Sequence, residues 1–188
     1  MNTDLGQLLV LWTQSQDTKP GEMYEDSGCN RCVAGKDVHK TWQRYLAEYG
    51  LKAERLDKQE EFVFGNGKSE MSDCAFNYPV FLSGRIVGSI DVARIPVDCP
   101  ALFSKRMMKT WKMTLDFEKQ LTRIGEFKCT VPFRNTVPVL DVLQLPEHVE
   151  LKDIPPCFHF GTPDSPHVGP NRKNYASTTT GRADESDE

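Results

Sequence analysis

The feature that most limits the possible folds is a pair of alternating apolar stretches in the middle of the chain. Apolar side chains occupy every second position over residues 76–82, and a second stretch covers residues 86–92. A period of two is typical of β-strands with a buried face. Ser83-Gly84 between the stretches favours a tight turn, so the pattern predicts a β-hairpin. Pro79 has no amide hydrogen to donate, which predicts that the first strand lies at a sheet edge.

Two more hairpins are predicted on either side of this one. Phe62-Val63-Phe64 leads into Gly65-Asn66-Gly67, whose residues tolerate a positive φ angle. Residues 113–117 and 121–124 are strand-like stretches separated by a short polar turn. Strand patterns therefore dominate the centre of the chain.

Two short helices are also predicted. Apolar residues at positions 38, 42, 45, 46 and 49 follow the period of a helix, with Asp37 before them and Gly50 after them. Ser104 is a good N-cap for a short helix over the methionine-containing stretch that follows it. The predicted fold class is mainly β, a barrel or a sandwich with one or two helices, and not a Rossmann sheet.

The chain of 188 residues is long enough for one domain with a tail. Residues 1–145 contain 19 basic and 19 acidic residues, whereas residues 146–188 contain 4 basic residues, 8 acidic residues and six prolines. Such a segment buries too little apolar surface to offset its ordering entropy, so residues 147–188 are predicted to be disordered. The rest is divided into an N-terminal arm (1–22), a folded domain (23–125) and an extended strand or linker (126–146).

Charge and hydropathy argue against several classes of partner. A formal net charge of −4 disfavours a broad basic face for nucleic acid. The longest apolar run near the start, residues 8–12, is too short for a membrane span or a signal peptide. We therefore expect a soluble, cytoplasmic protein that binds neither nucleic acid nor membranes.

Six cysteines are scattered along the chain without an N-glycosylation sequon, and we predict that all six are reduced thiols. Cys29 and Cys32 form the single close pair. A structural zinc site needs four ligands, but there is no second pair and His39 is the one nearby histidine. No metal site and no other cofactor is expected.

The triplet Asp26-Ser27-Gly28 is the strongest candidate for chemistry, and it follows a short strand-like stretch. All three residues are also common in ordinary surface turns, so the triplet alone leaves both readings open. The elements that follow add information, because a glycine-centred hairpin comes next, then paired strands, then Leu102-Phe103-Ser104 leading into a short helix.

In this order and spacing, residues 23–124 resemble the retropepsin-like aspartic proteases of retroviruses and retrotransposons. The resemblance implies a closed, mainly β domain in which Asp26 is the catalytic aspartate. It also implies that the Ser27 hydroxyl ties two active-site loops together and that Gly28 permits the tight turn. Phe64, Gly65, Asn66 and Gly67 would belong to a flap over the substrate. Cys29 would then lie beside the catalytic loop and be the most reactive thiol.

The chemistry of this family needs two carboxylates, but the chain contains one such triplet. A homodimer supplies the second, since each subunit contributes Asp26 across a two-fold axis. The resemblance therefore implies an aspartic endopeptidase of retrotransposon origin that cleaves a peptide or polyprotein with an activated water.

Two departures from the family pattern keep other functions open. Glu25 stands where an apolar residue is usual in a buried strand, and Ser104 stands where glycine is usual. A catalytically inactive, protease-like dimerisation module would tolerate both changes. A small β-rich binding domain unrelated to proteases, with Asp26 in a plain surface turn, is the third possibility.

Overall fold

The structure is a computed structural model that describes residues 18–160, apart from residues 66, 126, 135 and 136. Within these residues, two α-helices and two short 3-10 helices accompany the strands: α1 (Lys36–Glu48), α2 (Lys105–Thr110), Leu151–Asp153 and Pro156–Phe158. The strands in chain order are β1 (Glu22–Asp26), β2 (Val33–Gly35), β3 (Glu54–Leu56), β4 (Glu61–Val63), β5 (Ser69–Met71), β6 (Cys74–Leu82), β7 (Arg85–Ile95), β8 (Leu102–Ser104), β9 (Met113–Asp116), β10 (Leu121–Ile124), β11 (Phe127–Thr130), β12 (Phe133–Arg134) and β13 (Val137–Asp141).

Eight of these strands form one mixed sheet in the order β12-β13-β1-β8-β2-β7-β6-β3. The sheet curls until β6 meets the residues that follow β13. The Phe81 amide donates to the Val142 carbonyl at 2.9 Å, and the Gln144 amide donates to the Phe81 carbonyl at 3.1 Å. These bonds close the sheet into a barrel-like ring, and the predicted mainly β fold class is confirmed.

The three predicted hairpins are present as β4–β5, β6–β7 and β9–β10, and β11 extends the last into a three-stranded sheet. Ser83 and Gly84 both have positive φ angles, +51° and +75°, as a two-residue hairpin turn requires. Pro79 was predicted to lie in an edge strand, and this is true only of the part of β6 around Pro79. β3 pairs with residues 75–77 of β6, so Pro79 lies beyond that paired stretch although β6 as a whole lies inside the sheet.

The longer predicted helix, α1, packs on the sheet through His39, Trp42 and Leu46, which lie on one face and are buried. The Trp42 ring meets the Tyr78 ring edge-on at 5.1 Å between centroids. The helix begins at Lys36, so Asp37 lies in the first turn and is not the cap. None of the helices among the described residues has the length and apolar character needed to cross a membrane.

The first part of the predicted disordered tail is ordered, and the structure differs from the prediction over residues 147–160. Ile154 and Phe158 are 5% and 3% exposed and pack against the core. The Lys52 amide donates to the Phe158 carbonyl at 2.8 Å, next to the end of α1. The two buried side chains and this backbone hydrogen bond hold the segment in place despite its prolines. The average composition of the tail does not reveal such specific contacts. Residues 161–188 lie outside the described residues.

Candidate active site

Asp26 is the last residue of β1, and its position follows from an unusual strand order. β1 and β2 are consecutive in the chain, yet β8 lies between them in the sheet. β8 runs parallel to β1, with Asp26 opposite Ser104, and the Tyr24 amide donates to the Ala101 carbonyl at 2.8 Å. The loop of residues 27–32 must therefore cross the end of β8 to reach β2, and Asp26 lies at the start of this crossing.

Short hydrogen bonds fix the turn after Asp26. The Gly28 amide donates to Asp26 Oδ1 at 2.8 Å, and the Cys29 amide donates to the Asp26 carbonyl at 3.2 Å. The Lys105 amide donates to the Cys29 carbonyl at 2.9 Å and ties the loop to the start of α2. A Cβ atom at Gly28 would lie only 3.2 Å from Asp26 Oδ1, so glycine permits this close approach. The Asp26 carboxylate is thus oriented by its own loop.

The three residues of the triplet differ in exposure. Asp26 is half-buried, whereas Ser27 and Gly28 are exposed in the single chain. An exposed Ser27 hydroxyl beside an oriented carboxylate is available to a second molecule. The predicted role of Ser27 in joining two loops requires a second subunit and remains a prediction.

The predicted flap corresponds to the hairpin β4–β5. Its turn is held by the Phe64 amide, which donates to the Lys68 carbonyl at 2.9 Å, and by the Gly67 amide, which donates to the Phe64 carbonyl at 2.8 Å. Gly67 has a φ angle of +76°, which favours glycine. Gly65 is exposed, and Asn66 lies outside the described residues.

One face of the hairpin is anchored and the other is open. Phe62 is 9% exposed and packs into a small apolar cluster with Val33, Ile95 and Cys99, against which Phe64 also packs. On the opposite face, Val63 is 71% exposed and Met71 is 55% exposed. A single buried aromatic ring therefore provides most of the apolar attachment of the hairpin.

A cleft of about 700 Å³ lies between the Asp26 loop and this hairpin. One wall is formed by Gly28 and residues 29–31, and the other by residues 58–63. Arg31 and Glu60 form an ion pair that joins the two walls. The structure thus brings Gly28 and the first strand of the predicted flap to one cleft. Asp26, Ser27 and the described tip residues Phe64, Gly65 and Gly67 are not among the residues that line it.

The charged wall of the cleft was not predicted from the sequence. Residues 58–61 read Lys-Gln-Glu-Glu immediately before the hairpin, and this cluster was the available signal. A smaller adjoining groove of about 410 Å³ shares Arg31, Lys58 and Glu60 with the cleft. In that groove, Asp91 accepts hydrogen bonds from Lys58 Nζ at 2.8 Å and from Asn77 Nδ2 at 2.6 Å.

Glu25, the first departure from the family pattern, has a partner. Its carboxylate accepts a hydrogen bond from Thr122 Oγ1 at 3.3 Å, and Thr122 itself is fully buried. Burial raises the pKa of Glu25 to about 7, although the Thr122 hydrogen bond opposes the rise. Glu25 is thus accommodated within β1, and its carboxyl holds a proton to a higher pH than an exposed glutamate does.

Ser104, the second departure, is 2% exposed and acts as the predicted N-cap of α2. Its Oγ accepts a hydrogen bond from the Met107 amide at 3.3 Å and lies 3.4 Å from Cys32 Sγ. The Ser104 hydroxyl thus caps the helix that follows β8.

The thiols near the triplet are unsuited to nucleophilic chemistry. Burial raises the pKa of Cys29 to about 11 and the pKa of Cys99 to about 12, and it raises that of Cys32 as well. A thiol with such a pKa is almost entirely protonated at neutral pH. The expectation that Cys29 is the most reactive thiol is therefore opposed by its environment. Within the described part of the chain, no three His, Cys, Asp or Glu side chains converge to hold a metal ion.

Comparisons with known proteins yield a similarity to solved structures and none to a family model or a curated protein. Among solved structures, the crystal structure of the retroviral protease-like domain of Ddi1 from Leishmania major is similar over 69% of this chain and 100% of that chain. The sequence identity is 13% and the TM-score is 0.35. These values are too low to assign this chain to a family.

Proposed function

We propose that this protein is an aspartic endopeptidase of the retrotransposon type that acts as a homodimer on extended peptides. The observation that carries the proposal is the position of Asp26. Its carboxylate is oriented by the Gly28 amide at 2.8 Å, and residues 28–31 of the loop that follows it line a cleft beside a separate hairpin. An oriented carboxylate beside a cleft that accommodates several peptide residues is what hydrolysis by an activated water requires.

In the proposed dimer, Asp26 of each subunit contributes one carboxyl to a shared site. Two carboxyls about 3 Å apart cannot both ionise, so one remains protonated. The ionised carboxylate takes a proton from a water molecule, which attacks the scissile carbonyl. The protonated carboxyl donates to the developing oxyanion, and the roles are exchanged when the amine leaves.

The two departures from the family pattern have structural solutions, which supports an active enzyme over an inactive module. Glu25 points away from Asp26, because adjacent strand residues face opposite sides, and it is bonded to Thr122. Ser104 caps α2 from beneath the loop. Neither side chain removes the hydrogen bonds that orient Asp26.

The test is cleavage of an unbiased mixture of peptides by the full chain and by Asp26→Asn. Asparagine is nearly isosteric but cannot act as an acid or a base, so cleavage should be abolished while the fold and the dimer persist. Asp57→Asn, at an exposed position outside the cleft, is the matched control and should retain activity. Activity of the wild-type protein should fall on dilution, because a monomer holds half of the site.

Further measurements separate the three functions. A bell-shaped pH profile with an acidic optimum, together with poisoning by excess Asp26→Asn subunits, supports the shared dyad. A dimer that cleaves nothing under any condition supports the inactive module. A monomer without activity supports an unrelated binding domain, and cleavage that survives in Asp26→Asn contradicts the aspartic mechanism.

A further inference from the structure

Helix α2 and the turn after it carry a dense group of basic residues. Lys105, Arg106, Lys109 and Lys112 lie within eight residues, and all four are exposed. We call them the cationic patch. In the described part of the chain, none of the four forms an ion pair with a carboxylate. Lys105 and Lys109 are four residues apart, so like charges face each other on one side of the helix.

Several other basic residues of the domain are paired with carboxylates. Arg94 is paired with Asp73 at 2.7 Å, and Arg134 is paired with Glu22 at 2.7 Å. The cationic patch is therefore a concentrated positive site in a chain whose formal net charge is −4. A patch of this kind favours a ligand that brings several negative charges close together.

The patch also has a concave side. Arg106 and Thr110, one turn apart on α2, line the smaller groove of about 410 Å³ next to the cleft. The groove floor includes the small side chains of Ala75 and Ala93. Glu60 and Asp91 also line this groove, so a negatively charged side chain is favoured on the lysines outside the groove and not within it.

The same chain contains an acidic segment that matches this patch. Asp184, Glu185, Asp187 and Glu188 lie within five residues, and residues 161–183 connect them to the end of the described chain. These 23 residues span at most roughly 75–83 Å. A domain of about 143 residues has a radius of gyration of only about 14–15 Å. The acidic segment can therefore reach any part of the surface.

We infer that residues 184–188 dock on the cationic patch of the same molecule. Each exposed ion pair is weak, but tethering raises the effective concentration of the segment to the order of millimolar, and several weak pairs act together. A free nucleic acid lacks this advantage of tethering. This inference concerns an interaction site and does not depend on peptidase activity.

The test follows tryptic cleavage after Arg182 in the full chain, since a docked segment shields this bond. The variant Lys105→Glu/Lys109→Glu reverses two charges of the patch and leaves the tail sequence unchanged. Cleavage at Arg182 should become about two- to fivefold faster in about 50 mM salt, and the difference should disappear at about 0.5 M, where exposed charges are screened. Lys105→Gln/Lys109→Gln should give an intermediate rate, and thermal melting checks that each variant is folded.

The matched control is Lys36→Glu/Arg44→Glu, which makes the same charge change at exposed positions of α1 and should cleave like the wild type. Equal rates in the wild type and the patch variants overturn the inference, as does acceleration in the control. Protection that increases with protein concentration assigns the docked segment to a second molecule and overturns intramolecular docking. A further outcome would also overturn the inference. If a short RNA oligonucleotide binds the wild type but not Lys105→Glu/Lys109→Glu, and the rate of cleavage after Arg182 is the same in both proteins, the patch is a nucleic-acid site.

Discussion

The two walls of the cleft are attached to the domain in different ways. The Asp26 loop crosses the end of β8 and is bonded through its backbone to α2, above the fully buried Phe103. The hairpin β4–β5 forms a separate two-stranded sheet. It is held to the domain by Phe62 and by the Arg31–Glu60 ion pair. The Ser72 hydroxyl, which accepts from the Glu60 amide at 2.8 Å, closes the base of the hairpin itself.

This difference predicts that the hairpin opens more readily than the Asp26 loop. Regions with few buried apolar contacts have the lowest free energies of local opening. The proposed hydrolase would need both properties, because its carboxylate must be oriented while the substrate must enter. The following changes test how separate the two walls are.

The largest effect is expected for Phe103→Ala, beneath the Asp26 loop. Phe103 is fully buried and packs against Trp111, with 5.2 Å between ring centroids. Loss of the ring should lower the free energy of unfolding by about 3–5 kcal/mol, through lost burial and the cavity that remains. Denaturant unfolding measures this change, and a loss below about 1 kcal/mol would show that the loop does not depend on this core.

Phe62→Ala should have a smaller global effect, about 2 kcal/mol, because the ring lies in a small satellite cluster. Its main consequence should be local, with faster amide hydrogen exchange over β4 and β5 and unchanged exchange in β1. Hydrogen exchange with mass spectrometry separates the two segments. Equal acceleration in β1 would mean that the two walls open together.

Glu25→Gln tests the buried carboxyl behind the Asp26 loop. The folded protein raises the pKa of Glu25 from 4.5 to about 7, so the folded state binds the proton more tightly than the unfolded chain. The resulting stability is fully present below pH 4.5 and is lost as the pH rises through 7. Because the group keeps some contact with solvent, the loss should be about 1–2 kcal/mol at pH 8.

Glutamine stays neutral and still accepts the Thr122 hydrogen bond, so Glu25→Gln should be more stable than the wild type at pH 8 and equal to it at pH 4. Glu54→Gln, at an exposed position of β3, is the control and should show no such pH dependence. Denaturant unfolding at both pH values measures the difference. Equal stability of Glu25→Gln and the wild type at pH 8 would show that Glu25 is ionised without penalty.

The smallest effect is expected for the ion pair that joins the two walls. The Arg31 side chain is 52% exposed and the Glu60 side chain is 22% exposed, so solvent screens their attraction. A double-mutant cycle with Arg31→Ala and Glu60→Ala should give a coupling free energy of about 0.2–1 kcal/mol. A coupling above about 2 kcal/mol would show that the hairpin is held mainly by charge.

Local patterns predicted the hairpins, both helices and the cap at Ser104, because strand alternation, helical period and turn residues act within a few positions of the chain. The family resemblance predicted the candidate residues of the site. It did not predict the cleft wall, since Arg31 and Glu60 are far apart in sequence and meet only because the hairpin packs on Val33 and Ile95. The ordered segment of residues 151–158 was missed for a similar reason, as its partners near residue 51 are distant in the chain.

The sequence by itself determined which segments are strands, turns and helices, and it determined that Asp26-Ser27-Gly28 follows the first strand of the domain. Only the tertiary structure decided that β8 inserts between β1 and β2, which places Asp26 at a loop crossing. It also decided that Glu25 is buried against Thr122 and titrates near neutral pH. The physical reason is the distance along the chain over which each property is set. Turn preferences and the spacing of apolar residues act within a few positions. Strand order, burial and pKa depend on contacts between segments up to about a hundred residues apart.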